Sequence, residues 1–148
     1  MKQKELLVAA IENGTVIDHI PSDKVFQVMS LLNLDNVRSA VTIGYNLKSR
    51  AMGTKSIIKI ADKFFTDSEL AQLAVICQNL TLCIIRDYEI VEKRRIALPE
   101  ELVGIIRCPN SKCITNNEPM RTRFRVTGQK LTCQYCNNDV ELDKVKLL

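Results

Sequence analysis

Four cysteines carry the clearest chemistry in this chain. Cys108 and Cys113 form a C-x4-C pair, Cys133 and Cys136 a C-x2-C pair, and 19 residues lie between them. Tetrahedral zinc takes four thiolates at about 2.3 Å, and two tight turns that each present two sulfurs meet that need. With every position filled by protein there is no room for an activated water, so the expected zinc, one per chain, is structural rather than catalytic. Such binding contributes about 10–16 kcal/mol in zinc-finger peptides. A module the length of residues 105–148 needs this contribution, because cores of that size rarely fold unaided. The alternative is a redox pair at Cys133 and Cys136, but a thioredoxin-type pair follows a strand in a βαβ setting and opens a helix, and neither context is present. Cys77 and Cys83 fall in a helical and a strand-like segment, where buried cysteine acts as a small hydrophobe.

The remaining reactive types do not assemble into a catalytic set. Asp18 and His19, the only histidine, read as a structural hydrogen-bond pair, since no Ser or Cys nucleophile in a recognisable motif accompanies them. Lys55, Lys59, Lys93, Arg94 and Arg95 place cations on later strands. Without a P-loop or a G-x-G-x-x-G, any phosphate bound here must be held by side-chain cations and strand-end amides. Arg121, Arg123 and Arg125 alternate with Thr122, Phe124 and Val126, so one face of a strand carries three guanidinium groups. That face is read as solvated, or as a contact for an acidic protein. RNA is disfavoured, since the chain has no Trp and only 5% aromatics for base stacking.

These groups must be positioned by short elements. Strand-like segments rich in β-branched residues run over Thr15–Ile20, Ala40–Asn46, Ser56–Ala61, Thr81–Arg86 and Glu89–Lys93. A helix is expected after Pro21-Ser22-Asp23, with Ser22 as its cap and Val25, Val28, Met29 and Leu32 on one face. A second follows Thr66, where Thr66 and Glu69 form a capping box and Phe65 can staple onto Leu70. Leu47–Thr54 reads as a loop. The order strand, helix, strand, strand, helix, strand, plus a fifth strand, predicts an α+β fold. It is a ferredoxin-like split βαβ antiparallel sheet with both helices on one face, followed by a small antiparallel β zinc-ribbon-like domain. The expected domains are residues 1–98 and 99–148.

Composition narrows the function classes. An apolar content of 46% and a charged content of 26% are those of a folded globular chain, without a membrane span or a signal-peptide core, so the cytoplasm is expected. Residues 1–104 balance 13 Lys and Arg against 13 Asp and Glu, whereas residues 105–148 hold 8 against 4. A divalent zinc on four thiolates carries about two negative charges, halving that excess and weakening the case for nucleic acid.

The strings Gly14-Thr-Val-Ile-Asp-His-Ile-Pro21, Met52-Gly53, Ile58-Lys-Ile60, Leu98-Pro-Glu100, Cys108-Pro-Asn-Ser-Lys-Cys113 and Cys133-x-Tyr-Cys136 together resemble the regulatory chain of aspartate carbamoyltransferase, over essentially the whole chain. The resemblance implies a non-catalytic subunit of pyrimidine biosynthesis. Its N-terminal allosteric domain would bind CTP as inhibitor and ATP as activator, with UTP able to reinforce CTP. Its zinc domain would dock on the catalytic chain, and regulatory homodimers would link two catalytic trimers into a dodecamer. Carried over by position, Asp18 and Lys59 would hold the ribose or base region and Lys93 the phosphates, with His19 beside them. Ile11, Val16, Ile85, Tyr88 and Ile90 would line the base pocket, backbone groups of Ile11, Tyr88 and Ile90 reading the base edge. Catalytic residues, nucleic acid and membrane are not implied.

The sequence departs from the family pattern at several positions. Ala9 and Cys83 stand where a relative has glutamate and asparagine, which bears on UTP. Asn110 matches a docking residue, but Lys112 and Asn137 replace an asparagine and a glutamate. Two other readings remain: a zinc-ribbon nucleic-acid-binding protein, whose affinity would fall steeply with salt, and an enzyme with a site around Asp18, His19 and Lys59, which would turn a nucleotide over.

Overall fold

The computed structural model describes residues 10–34 and 37–148. Its first part runs β1 (Gly14–Ile20), α1 (Val25–Leu32), β2 (Val41–Ser49), β3 (Gly53–Ala61), α2 (Asp67–Ile76), β4 (Thr81–Arg86) and β5 (Glu89–Arg95). The strands form one sheet in the order β2-β3-β1-β4-β5, every neighbouring pair antiparallel. This is the split βαβ arrangement with β5 added at an edge. Alternation along each strand sends Ile17, Ile58, Ile60 and Leu82 to one face, where they pack with Val25 and Val28 of α1 and Leu70, Leu73 and Ala74 of α2. Each fully buried Val, Leu or Ile favours the folded state by roughly 1.5–3 kcal/mol over exposure.

The two helices start differently. At α2 the Glu69 N–H donates to Thr66 Oγ1 at 3.1 Å and the Thr66 N–H donates to Glu69 Oε1 at 2.9 Å, the expected capping box. Phe65 packs on the same core as Leu70, as a staple requires. The Gln78 side-chain amide closes the other end by donating to the carbonyls of Ala74 and Val75. At α1 the capping residue is Lys24, with no side-chain cap. The expected cap, Ser22, instead sits with its Oγ 3.0 Å from Ser56 Oγ, so its hydroxyl serves the sheet. The Lys24 N–H donating to the Pro21 carbonyl at 2.8 Å turns the chain into the helix.

The Leu47–Thr54 loop is shorter than the sequence suggested. Leu47 pairs with Lys55, Lys48 with Thr54 and Ser49 with Gly53, past a register shift after Gly44. Cross-strand pairing overrides the local turn signals of Ser49 and Gly53. β5 likewise continues to Arg95, because Arg94 and Arg95 pair with Leu82 and Thr81.

The second part contains β6 (Glu101–Val103), β7 (Ile106–Arg107), β8 (Arg123–Thr127), β9 (Lys130–Cys133), β10 (Asp139–Glu141) and β11 (Lys146–Leu147). They form a sheet in the order β10-β9-β8-β6 and a two-stranded ribbon of β11 and β7. Leu102, Ile106, Phe124, Leu131 and Cys133 are its buried centre. Val75 and Ala71 of α2 also pack into this second core, while Leu98 touches both. Helix α2 therefore presents one side to the large sheet and another to the cysteine module.

Candidate functional site

The four cysteines converge on one point. Cys108 Sγ lies 3.6 Å from Cys136 Sγ and Cys113 Sγ lies 3.8 Å from Cys133 Sγ, so each close contact joins the two turns. All four sulfurs lie within 4.8 Å of one another. Sulfurs at 2.3 Å from one tetrahedral centre stand about 3.8 Å apart, so the donor set fits a single tetrahedral ion.

Backbone turns set this spacing. The Cys113 N–H donates to the Asn110 carbonyl at 3.0 Å, and Asn116 Nδ2 donates to the carbonyls of Cys108 and Asn110 at 2.9 and 2.8 Å. In the other turn the Asn137 N–H donates to the Cys133 carbonyl at 2.8 Å and the Cys133 N–H to the Asn138 carbonyl at 2.9 Å. Asn137 has φ 62°, a conformation asparagine tolerates better than glutamate; that accounts for its type. Asn110 Oδ1 accepts from the Lys112 N–H at 3.0 Å.

The electrostatics call for a cation. Burial raises the Cys108 and Cys133 thiols above their usual range. Burial acts the same way on Cys136, but hydrogen bonds from the Asn138 N–H, the Asn110 side chain and the Cys108 and Cys133 thiols outweigh it and bring it down to about 6. Four thiolates cannot coexist at this distance without a divalent ion to replace their protons. Cys113 also accepts from Thr115 Oγ1 at 3.2 Å.

The second candidate site is the face of the large sheet that the helices leave uncovered. Val16, Cys83 and Ile85 are buried there, with Ile11 and Ile57 packed on them. Lys59 stands opposite Val16, Val16 opposite Cys83, and Cys83 opposite Lys93, a row crossing four neighbouring strands. At about 4.8 Å per strand its two lysines are roughly 14 Å apart.

One end of this face is apolar. Ile85 pairs with Ile90, and Tyr88 lies in the two-residue turn between β4 and β5. Asp87 and Tyr88 have φ 54° and 68°, as a type I′ hairpin turn requires. A left-handed conformation costs a bulky residue roughly 1–2 kcal/mol. The Tyr88 N–H donates to the Glu12 carbonyl at 2.9 Å and the Asp87 N–H to Asn13 Oδ1 at 3.2 Å, which offsets that cost. The Tyr88 N–H is thus committed to the Glu12 carbonyl. Tyr88 and Ile90 are 66% and 58% exposed.

The other end is polar. Lys55 Nζ pairs with Asp18 Oδ1 at 2.9 Å. His19 sits at a register shift of β1 against β3 with φ 62°; such a bulge re-aims its side chain. Its N–H donates to Asp18 Oδ1 at 2.6 Å, and its Nδ1 hydrogen-bonds Thr81 Oγ1 at 3.0 Å. Burial lowers the Lys59 pKa, and the charge of Asp18 offsets part of that. Ile11, Val16, Asp18, His19, Lys59, Ile85, Tyr88, Ile90 and Lys93 therefore gather on this face or its rim. Sequence reasoning missed Lys55 and Thr81 as partners; only the strand register, which pairs Asp18 with Thr81, reveals the latter. Ala9 lies outside the described residues.

The arginine stripe of β8 is a mixed-charge surface. Arg123 pairs with Glu101 at 3.7 Å, Arg125 stands opposite Glu101 in register, and Lys130 pairs with Asp139 at 3.5 Å. Cys77 is buried at the end of α2, and burial raises its thiol pKa. Among the described residues no helix is long and apolar enough to cross a membrane.

Two family models match successive parts of the chain. Residues 6–97 match the family model described as aspartate carbamoyltransferase regulatory chain, allosteric domain, and residues 100–146 match the one described as its metal binding domain. An aspartate carbamoyltransferase regulatory chain of Porphyromonas gingivalis is 55% identical over 151 aligned positions, covering 100% of both chains. One of Phocaeicola vulgatus is 53% identical, covering 99% of this chain and 96% of that protein. One of Thermococcus sibiricus is 43% identical, covering 96% of each.

Proposed function

Because the chain belongs to the family of aspartate carbamoyltransferase regulatory chains, we propose that it binds CTP and ATP in competition on the open sheet face and passes their difference to the catalytic chain. The matched domains are allosteric and metal-binding, so this is a regulatory component of a pyrimidine-biosynthesis enzyme and not itself a catalyst. In this reading residues 1–98 form the allosteric domain and residues 99–148 the module that contacts the catalytic chain.

The observation that carries the reading is the row Lys59, Val16, Cys83 and Lys93 beside the apolar corner of Ile85 and Ile90. Cations separated by roughly three strand spacings suit a molecule with phosphates at one end and a base at the other. Lys93 takes the phosphates with His19 beside them, Asp18 and Lys59 take the ribose or base region, and Ile11, Val16, Ile85, Tyr88 and Ile90 enclose the base. Cys83, buried and with its thiol pKa raised by burial, is a weak hydrogen-bonding group. Any UTP reinforcement of CTP is accordingly expected to be small.

Two nucleotides sharing a pocket regulate only through their differential affinity for two quaternary states. Helix α2, packed into both cores through Leu73 and Val75, is the element suited to carry that difference. The metal is zinc in this reading, held by Cys108, Cys113, Cys133 and Cys136; when bound it cross-links the two turns and fixes the docking surface. Regulatory homodimers form along the outer edge of β2, which has no neighbouring strand among the described residues and carries exposed Ile43 and Tyr45, with Phe26 5.5 Å from the Tyr45 ring. Such dimers link catalytic trimers into a dodecamer.

Calorimetric titration of CTP and then ATP into the chain, with metal analysis of the same sample, tests this. Competition for one reversible site, recovery of intact nucleotide and about one zinc per chain are expected. Failure of both nucleotides to bind a zinc-loaded chain refutes the allosteric assignment.

A further inference from the structure

Three cations in the cysteine module have no acidic partner among the described residues. Arg107 on β7 and Lys146 on β11 are directly opposite in register, an arrangement in which like charges disfavour pairing. Lys144, in the helical turn just before β11, adds a third positive charge. All three are exposed, and no ion pair joins any of them to another described residue. They line one open cavity of about 720 Å³ beside Cys108, with Pro109, Val140 and Val145 supplying apolar wall and no acidic side chain among the described residues contributing. The contrast with the four-stranded sheet of the same module is direct, since there Glu101 answers Arg123 and Asp139 answers Lys130.

We propose that this cavity is the seat of an acidic, partly apolar segment of the catalytic chain, held by Arg107, Lys144 and Lys146 while its apolar side chains enter between Pro109, Val140 and Val145. The inference rests on the regulatory-chain reading and names the surface that reading leaves open. Like charges held opposite one another cost stability in the free chain and repay it when an acidic partner arrives, so the cluster favours assembly over the isolated state. A protein segment fits better than a nucleic acid, because among the described residues no aromatic side chain lines the cavity for base stacking. The cavity also abuts the Cys108 turn, so loss of the metal would disturb the same wall.

The test compares the zinc-loaded full chain with its Lys144→Glu/Lys146→Glu double variant. Affinity for purified cognate catalytic trimers is measured at two salt concentrations, with metal content and CTP affinity on the same samples. Lys146→Glu sets a carboxylate opposite Arg107, so the fold and the metal are expected to persist. Assembly should weaken about tenfold or more at low salt, with a flatter salt dependence, as for charge pairs across an interface, and Lys144→Arg/Lys146→Arg should restore it. Unchanged affinity and salt dependence in the double variant, with wild-type chain assembling normally, overturns the inference and leaves the regulatory reading standing. If wild-type chain itself binds no catalytic trimer, both fall. Salt-sensitive binding of a single-stranded oligonucleotide that the double variant loses would assign the surface to nucleic acid and overturn the choice of a protein partner.

Discussion

Replacing Lys93 with alanine separates phosphate binding at one point of the open face from general attraction by a basic edge. Lys93 pairs with Cys83 and so stands on the open face, whereas Arg94, one residue along, pairs with Leu82 and belongs to the helix-packed face. Arg94 is also joined to Glu92 at 3.4 Å. A hydrogen bond to a charged group contributes about 1.5–3 kcal/mol. Because β5 is exposed along its whole length, solvent screening argues for the lower end, about 1.5 kcal/mol, or roughly tenfold in Kd. Lys93→Ala should therefore weaken CTP and ATP alike by about tenfold in calorimetric titration at fixed ionic strength, while Arg94→Ala leaves both within about twofold. Thermal stability should hardly move, since surface substitutions of this kind usually stay within about 0.5 kcal/mol. Equal losses in the two variants would mean that net charge alone draws the nucleotide, and no loss in Lys93→Ala would remove it from the phosphate site.

Other consequences follow from the packing and capping. Thr66→Ala removes the hydroxyl that accepts from the Glu69 N–H and should cost about 1 kcal/mol in urea denaturation followed by helical circular dichroism; an unshifted midpoint would show that the cap is dispensable. Burial pushes the Glu69 pKa up, but the Thr66 N–H and Lys63 outweigh it, so the carboxyl is held below its usual range. A depressed carboxylate stabilises the fold at pH values above its unfolded pKa, and that contribution is lost as pH falls through the folded value. Glu69→Gln should accordingly be less stable than wild type at pH 7, with the gap closing in melts at progressively lower pH. Chelation of the metal should unfold the module around Phe124 and release the chain from catalytic trimers, while amide exchange in β1, β3 and β4 stays slow; retention of the complex after verified metal loss would contradict this.

Local signals account for the parts of the structure that short stretches of sequence specify. The α2 capping box was legible because Thr66 and Glu69 are three residues apart and satisfy each other. The metal centre was legible because each turn presents two sulfurs at a spacing that local backbone geometry sets. Ser22 misled for the converse reason: a serine before a helix can cap it, yet Ser56, 34 residues away, competes for the same hydroxyl. The Leu47–Thr54 loop failed similarly, since its turn residues were recruited into a ladder whose pairing is not local.

By itself, then, the sequence determined the four-cysteine centre, the second helix and its cap, the period-two alternation that splits each strand between a core face and an open face, and, through resemblance, the family. Tertiary structure alone decided which open-face residues meet. The row from Lys59 to Lys93, the Lys55–Asp18 pair and the contact of His19 with Thr81 all depend on register between distant strands. A slip of one residue would send every side chain of a strand to the other face, and no local spacing records which register holds. The same is true of Val75 joining the second core and of Arg107, Lys144 and Lys146 gathering around one cavity, because each contact forms only when segments far apart in the chain are packed together.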